Sequence, residues 1–142
     1  MKREDAGWDS IPMSGGVSAN PAPGAAIGVT VPAGVRWKLF SGVVTNTTDD
    51  TVVDRFNYLL TKLDGTNSVL ICVCGHAQEA SQVIDVSFVS GGLTQTDGGT
   101  HLMVGMGSIE LIAASLITID AIGGVAGDDF TTFRYAYKER PL

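Results

Sequence analysis

Two histidines and two pairs of adjacent aspartates are the side chains of this 142-residue sequence best suited to chemistry. His76 follows a glycine and His101 follows a Gly-Gly-Thr run, so neither lies in an HxH, HxxxH or CxxC arrangement. Zinc sites are built on such spacings. The sequence therefore predicts ordinary exposed or interface histidines. The alternative is that the fold gathers both histidines with Asp97 or Glu79.

The paired carboxylates fall in segments typical of turns. Asp49-Asp50 ends a polar run, and Asp128-Asp129 follows a glycine. Aspartate is a common turn residue because its side chain bonds to nearby backbone. Clustered carboxylates in loops are also the ligands that calcium prefers. We expect turn formation, with a calcium site between the two loops as the alternative.

Other motifs of catalysis are missing from the sequence. It contains no GxSxG elbow and no GKS/T or GxGxxG loop placed between a strand and a helix. The two cysteines, Cys72 and Cys74, point to the same face of a predicted strand, where a disulfide bridge has poor geometry. We expect two buried free thiols, a reducing cytoplasm during folding, no cofactor, no metal and no enzymatic activity.

The net charge and the distribution of basic and apolar residues limit which partners the chain can bind. A net charge of −6 argues against a nucleic-acid partner, which would need clustered Lys and Arg. The basic residues are scattered, and the nearest to clusters, Lys2-Arg3 and Lys138–Arg140, are interpreted as solvated termini. The N-terminus lacks the apolar run of a signal peptide, and the apolar run 109–119 is too short for a membrane span. We expect neither a nucleic-acid nor a membrane partner.

The elements that must position these residues are strands. In Val29–Leu39, the turn residues Pro32-Ala33-Gly34 separate two apolar-alternating runs, which predicts an opening hairpin. Asp64-Gly65 is a second hairpin signal. The run Ile109–Ala121 predicts one long strand, bent near its middle, with a buried helix as the alternative. The predicted strands are Ala26–Val31, Val35–Thr45, Val52–Lys62, Ser68–Cys74, Gln82–Val89, Leu102–Met106, Ile109–Ala121 and Phe130–Glu139.

Eighteen glycines, few charges and about eight strands without a helical pattern indicate an all-β chain, either a β-sandwich or a closed barrel. Residues 1–25 differ from the rest, because they hold three of the five prolines and little periodicity. We expect an extended N-terminal arm, residues 1–25, and a β-sandwich domain, residues 26–142. The arm's apolar residues, expected to order against a partner, are Trp8, Ile11, Met13 and Val17.

Aromatic residues alternate along the last strand. Phe133, Tyr135 and Tyr137 share one face of it. Alternating aromatics usually build a core or a subunit contact. The alternative is a platform on which a sugar stacks.

Four segments resemble the small jelly-roll proteins of tailed-bacteriophage virions. They are VTVPAGVRWKLFSGVVT, VVDRFNYLL, KLDGTNSVLI and GVAGDDFTTFRYAYKER, and together they extend over about residues 27–140. In that family a "VPxGxxWxL" turn opens the sandwich, a "DG" hairpin joins two central strands and a "GD" turn introduces the last strand. The glycine-rich segment 91–107 departs from the family pattern, which puts the predicted strand Leu102–Met106 in question.

The resemblance implies an antiparallel jelly-roll sandwich and a structural virion protein. Within the family we expect a capsid decoration (cement) protein that binds the major capsid protein on the outer shell as a homotrimer, assembled in the host cytoplasm. The alternative is a head-fibre, tail-fibre or tail-tip component that binds carbohydrate on the host. For the first alternative the arm carries the contact, and for the second the platform Phe133, Tyr135 and Tyr137 carries it.

Overall fold

The structure, a computed structural model, describes residues 7–63, 67–92, 95–97, 100–107 and 109–142. Strands dominate this part of the chain, and a single helical turn precedes them at residues 7–9. The strands are β1 (Ser14–Val17), β2 (Ile27–Thr30), β3 (Val35–Thr47), β4 (Phe56–Lys62), β5 (Ser68–Val73), β6 (Val83–Ser90), β7 (Gln95–Asp97), β8 (His101–Met106), β9 (Ile109–Leu111), β10 (Leu116–Ile122), β11 (Asp129–Phe130) and β12 (Arg134–Pro141).

The strands form two sheets that pack as a sandwich. Sheet A has the order β1-β12-β3-β6-β8-β7, with β9 and β11 also paired to β3, and sheet B has the order β2-β10-β4-β5. Pairing is antiparallel except between β6 and β8. The prediction of an all-β, jelly-roll-like antiparallel sandwich is confirmed.

The core lies between the sheets and follows from the period of two in each strand. In β6, for example, Ile84, Val86 and Phe88 are buried and the residues between them are half-buried. Cys72 and Cys74 belong to this core as free thiols, as predicted, and burial raises the pKa of the Cys72 thiol. Among the described residues, no helix is long and apolar enough to cross a membrane.

The turn at residues 32–34 joins the two sheets. β2 pairs with β10 in sheet B, whereas β3 lies in sheet A, so the predicted opening hairpin is wrong. The turn chemistry itself is as expected, since Gly34 has a φ of 81°. A period-2 pattern on both sides of a turn fits a hairpin and a sheet-to-sheet crossover equally well.

The apolar run Ile109–Ala121 also crosses between the sheets. It forms β9 in sheet A and β10 in sheet B, and the single long strand predicted here is wrong. The break lies at Ala114, whose φ is 67°, next to Ser115, whose hydroxyl donates to the Leu63 carbonyl oxygen at 2.9 Å. The predicted bend is therefore a complete interruption of the strand.

Other boundaries differ less. The third predicted strand begins at Phe56 rather than Val52, and the last one is interrupted between β11 and β12. β1 lies within the predicted arm, and β7 lies within a predicted loop. The predicted sixth strand is present as β8. The Asp64-Gly65 hairpin turn lies outside the described residues, although β4 and β5 on either side are paired.

A β-bulge in β3 shapes the face of sheet A that points away from the core. The register with β12 shifts between Ala136 and Tyr137, so that Phe40 has no partner in the ladder. The buried positions of β3 consequently change from Trp37 and Leu39 before the bulge to even-numbered residues after it. The far side of β3 thus carries charged side chains on one half and small or apolar ones on the other.

Candidate functional site: the outer face of sheet A

The structure does not bring the two histidines into one cluster. His76 lies in the exposed loop after β5. His101 faces outward at the start of β8, where its Nε2 lies 3.2 Å from Asp85 Oδ2, an aspartate that sequence reasoning had not singled out. Asp97 is the backbone partner of His101 in β7. Among the described residues, no group of three or more His, Cys, Asp and Glu side chains could hold a metal ion.

The two aspartate-rich turns do meet, and they meet around Arg55. Arg55 is fully buried, and its Nε and Nη2 each donate to a different oxygen of Asp128 at 3.0 Å. Nη2 also donates to Asp49 Oδ1 at 2.9 Å, and Nη1 donates to the carbonyl oxygens of Thr51 and Val53. The guanidinium thus makes five hydrogen bonds and occupies the position between the loops where the calcium alternative would place an ion.

The Asp128 carboxylate is held ionised by these contacts. Burial alone would raise its pKa, but the hydrogen bond from Arg55, those from the backbone N–H groups of Val125 and Asp49, and the guanidinium charge outweigh burial and lower the pKa from 3.8. Next to it, Asn46, Asn57 and Gln78 form a chain of buried amide hydrogen bonds between the sheets. This cluster joins loops and sheets, which is a structural role.

Residues 7–17 lie against sheet A. The Trp8 side chain is 2% exposed, and its indole Nε1 donates to Glu110 Oε1 at 2.7 Å. Lys138 Nζ donates to the Trp8 carbonyl oxygen at 3.0 Å, and β1 pairs with β12 along its whole length. Of the arm residues, Trp8 is therefore buried within this chain and Ile11 is half-buried, while Met13 and Val17 are 51% and 64% exposed.

Phe133, just before β12, and Tyr135 and Tyr137 within it form a row of ring contacts, and the two tyrosines also contact Trp37. Phe133 is fully buried, and its ring stacks on that of Tyr135 with centroids 5.4 Å apart. Tyr135 and Tyr137 are half-buried against the core, with the Tyr137 centroid 4.2 Å from that of Trp37. Burial, followed by the nearby Tyr137, raises the pKa of the Tyr135 hydroxyl. The rings thus share the face expected from their spacing.

Two glycines make room for these rings. A Cβ added at Gly42 would overlap the Phe133 ring, and one added at Gly16 would overlap the Tyr135 ring. Gly16, Tyr135 and Gly42 are register partners across β1, β12 and β3. Small residues in this row therefore let large rings lie across the strands on the inner side.

A broad open groove of about 630 Å³ crosses the outer face at this row. Its walls are mostly backbone and small or aliphatic side chains from β1, β12, β3 and β6, together with Arg134 and Tyr135 of β12. They include Gly15, Val17, Val43, Val89 and Ala136. Exposed Val17 lies at the β1 margin of the groove and Val43 near its centre. An apolar shallow surface of this kind suits another macromolecule's surface better than it suits a small ligand.

A smaller polar cleft of about 300 Å³ adjoins the groove. Val43 and Arg134 line both cavities, and the cleft adds Thr45, Asp85 and Thr131. Thr45 Oγ1 donates to Asp85 Oδ1. Hydroxyl, carboxylate and guanidinium groups around one hollow could accept and donate hydrogen bonds to a polar ligand.

The expectation of a solvated C-terminal end is wrong for Lys138 and Arg140, which are half-buried in β12. β12 continues to Pro141 and sets Lys138 and Arg140 opposite Lys38 and Arg36 of β3. The sequence does show that Arg36 and Lys38 share one face of their strand and that Lys138 and Arg140 share one face of theirs, because each pair is two residues apart. Only the register of two strands distant in sequence places the pairs side by side.

Comparisons with known proteins add little. No family model matches this chain, and no curated protein matches it. Among solved structures, it is similar to PfGH50B (8% identity, TM-score 0.39, covering 94% of this chain and 23% of that one). It is also similar to the infectious bursal disease virus VP2 subviral particle (15% identity, TM-score 0.33, covering 92% of this chain and 32% of that one). A third similar structure is CBM35 from Cellvibrio japonicus Abf62 (11% identity, TM-score 0.33, covering 86% of this chain and 72% of that one). These TM-scores are too low for the likenesses to carry an argument. The chain spans about a quarter to a third of the first two proteins.

Proposed function

We propose that this chain is a structural virion protein that decorates the outer capsid surface of a tailed bacteriophage and stabilises the shell. The observation that carries the proposal is the largely apolar groove on the outer face of sheet A, with the exposed Val17 at its β1 margin and Val43 near its centre. Such a face would leave water on contact with another protein, and each fully buried aliphatic side chain contributes about 1.5–3 kcal/mol. The partner is the major capsid protein.

The N-terminal segment supports this use of the face. Trp8 and β1 fix residues 7–17 to the sheet, so Met13 and Val17 are held in place before any partner arrives. A surface already ordered loses less conformational freedom on binding than a flexible arm does. The proposed contact therefore combines the end of the arm with the groove beside it.

The proposal includes assembly as a homotrimer on the shell. Three linked copies bind with a higher avidity than one, because the second and third contacts become intramolecular. The protein has no reaction to perform and needs no cofactor, nucleic acid or membrane. Its place is the virion.

A charge placed on the groove tests the proposal. The assay is co-sedimentation of the chain with capsid shells of its own phage that were prepared without this protein. Val17→Lys should lower the affinity for these shells by at least about tenfold, because an ammonium group would be buried at the interface. Ile71→Lys is the matched control, because Ile71 is 60% exposed on sheet B. Equal saturation of shells by wild type and Val17→Lys would contradict the proposal.

A carbohydrate-binding fibre or tail-tip component is the second candidate. The polar cleft with Thr45, Asp85 and Arg134 is the observation that favours it. Binding on a glycan array that is lost in Asp85→Ala, with the fold intact by circular dichroism, would support this candidate over decoration.

A further inference from the structure

β1 is an edge strand of sheet A. It pairs with β12 on one side and, in the strand order of the described residues, has no neighbour on the other. Edge strands expose unpaired backbone N–H and C=O groups, and proteins commonly protect them with charged residues, proline or a bulge. The sequence of β1, Ser-Gly-Gly-Val, contains no charge and no proline, and its register with β12 is regular. None of these protective features therefore prevents another strand from pairing with β1.

The register shows which backbone groups of β1 point away from β12. The Ser18 N–H donates to the Phe133 carbonyl oxygen at 2.9 Å, so Val17 and Arg134 are a non-hydrogen-bonded pair. Gly15 lies two residues before Val17 and has the same orientation. The N–H and C=O groups of Gly15 and Val17 therefore point out of the sheet edge, and no described residue is hydrogen-bonded to them.

This edge borders the groove on the outer face of sheet A. Gly15 and Val17 line the groove, and Val17 is 64% exposed. No described residue of the other edge strands, β7, β2 and β5, lines it. A strand added beside β1 would lie about 4.8 Å from it and would widen the face by one strand. A partner that covers the groove therefore also meets the unpaired backbone groups of Gly15 and Val17.

We propose that the partner bound at the groove adds an extended segment to sheet A as a strand beside β1. The inference rests on the proposed function, so the partner is the major capsid protein, and it specifies the chemistry of the contact. The segment must offer backbone N–H and C=O groups to Gly15 and Val17. In such strand addition, main-chain hydrogen bonds give affinity and alternate side chains give specificity. Pairing of β1 with the β1 of a second copy would instead give a two-fold dimer, which does not fit a trimer.

Gly15→Pro tests the added strand. Proline removes the N–H that points outward and places its ring where the added strand would lie, whereas the hydrogen bonds between β1 and β12 remain. A Cβ at Gly15 has no heavy atom within 4 Å, so the melting temperature should stay close to that of wild type. In co-sedimentation with capsid shells, Gly15→Pro should bind at least about tenfold more weakly than wild type. The matched control, Gly15→Ala, keeps the N–H and should bind within about twofold of wild type.

Amide hydrogen exchange on the wild-type chain is a second measurement that needs no variant. The N–H groups of Gly15 and Val17 should exchange fast in the free chain and slowly on the shells, because the added strand supplies their acceptors. The N–H of Gly16 points towards β12 and should be protected in both states. Fast exchange of Gly15 and Val17 on saturated shells would overturn the proposal, even if Gly15→Pro failed to fold.

The binding outcomes separate this inference from capsid decoration. Equal binding by wild type and Gly15→Pro, or equal weakening in Gly15→Pro and Gly15→Ala, would overturn the added strand. If Val17→Lys still bound weakly in that case, decoration through the groove would stand without it. Failure of the wild-type chain to bind shells would overturn both proposals. A dimer that forms without shells and is lost in Gly15→Pro would assign the edge to a second copy and overturn the added strand.

Discussion

Arg55 and Asp128 form a bidentate pair inside the protein, with Nε and Nη2 of the arginine each 3.0 Å from a carboxylate oxygen. The pair joins the segment before β4 to the turn before β11, so it fixes two loops that are far apart in sequence. Both side chains are buried. Removing one partner would leave an uncompensated charge in the interior, which costs far more than the pair contributes net.

Arg55→Met should therefore lower the free energy of unfolding by about 3–5 kcal/mol, because Asp128 would remain buried without its cation. Urea denaturation followed by tryptophan fluorescence measures this. Arg134→Met is the control, since Arg134 is exposed, and it should change stability by no more than about 0.5 kcal/mol. A loss of under about 1 kcal/mol in Arg55→Met would mean that the pair does not hold the loops.

Stability should fall in acid through Asp128. Its pKa in the folded protein is lowered from 3.8, so the stabilisation is present above the pKa of the unfolded chain and is lost as the pH falls through the folded value. The stability difference between wild type and Asp128→Asn should therefore be constant near neutral pH and shrink below about pH 4. A difference that stayed constant throughout acid denaturation would refute this.

Gly42→Ala should destabilise the protein by about 1–3 kcal/mol, because the new methyl group would overlap the Phe133 ring and force a rotamer or backbone shift. Gly15→Ala is the matched control. A Cβ at Gly15 has no heavy atom within 4 Å, so its effect should stay within about 0.5 kcal/mol. Thermal melting compares the two variants, and similar melting temperatures would argue against close packing at Gly42.

Trp8→Ala tests whether the N-terminal segment belongs to the folded unit. Loss of a buried indole and its hydrogen bond to Glu110 should cost about 3–5 kcal/mol. Met13→Ala, in the same segment but exposed, should cost little. If both variants unfolded at the wild-type urea concentration, residues 7–17 would act as an independent arm.

Sequence alone predicted the sandwich because period-2 alternation is a local property. The buried residues of β6 and β10 alternate as expected, and so do those of β8, the strand in question. Where the chain crosses between sheets, the local pattern does not change. The sequence therefore predicts a hairpin at residues 32–34 and one bent strand around Ala114, where the chain in fact crosses between the sheets.

The site was less predictable for a related reason. Arg55 falls within the alternating pattern of the predicted strand Val52–Lys62, and nothing in that pattern marks it as special. Its burial is explained only by the meeting of two turns that are distant in sequence. Similarly, Arg36 and Arg140 are neighbours through a register between β3 and β12, which no local pattern specifies. Turn residues and the alternation of core residues can be predicted from short segments of sequence. Interactions that depend on strand order and register cannot.

A cryo-electron microscopy map of the virion that carries this chain tests the central claim most directly. Decoration predicts density for the chain on the capsid exterior, in trimers, with Met13, Val17 and the groove of sheet A against a neighbouring protein surface. Density at the tail tip or in a fibre, or contact with the shell through sheet B with the groove open to solvent, would contradict it.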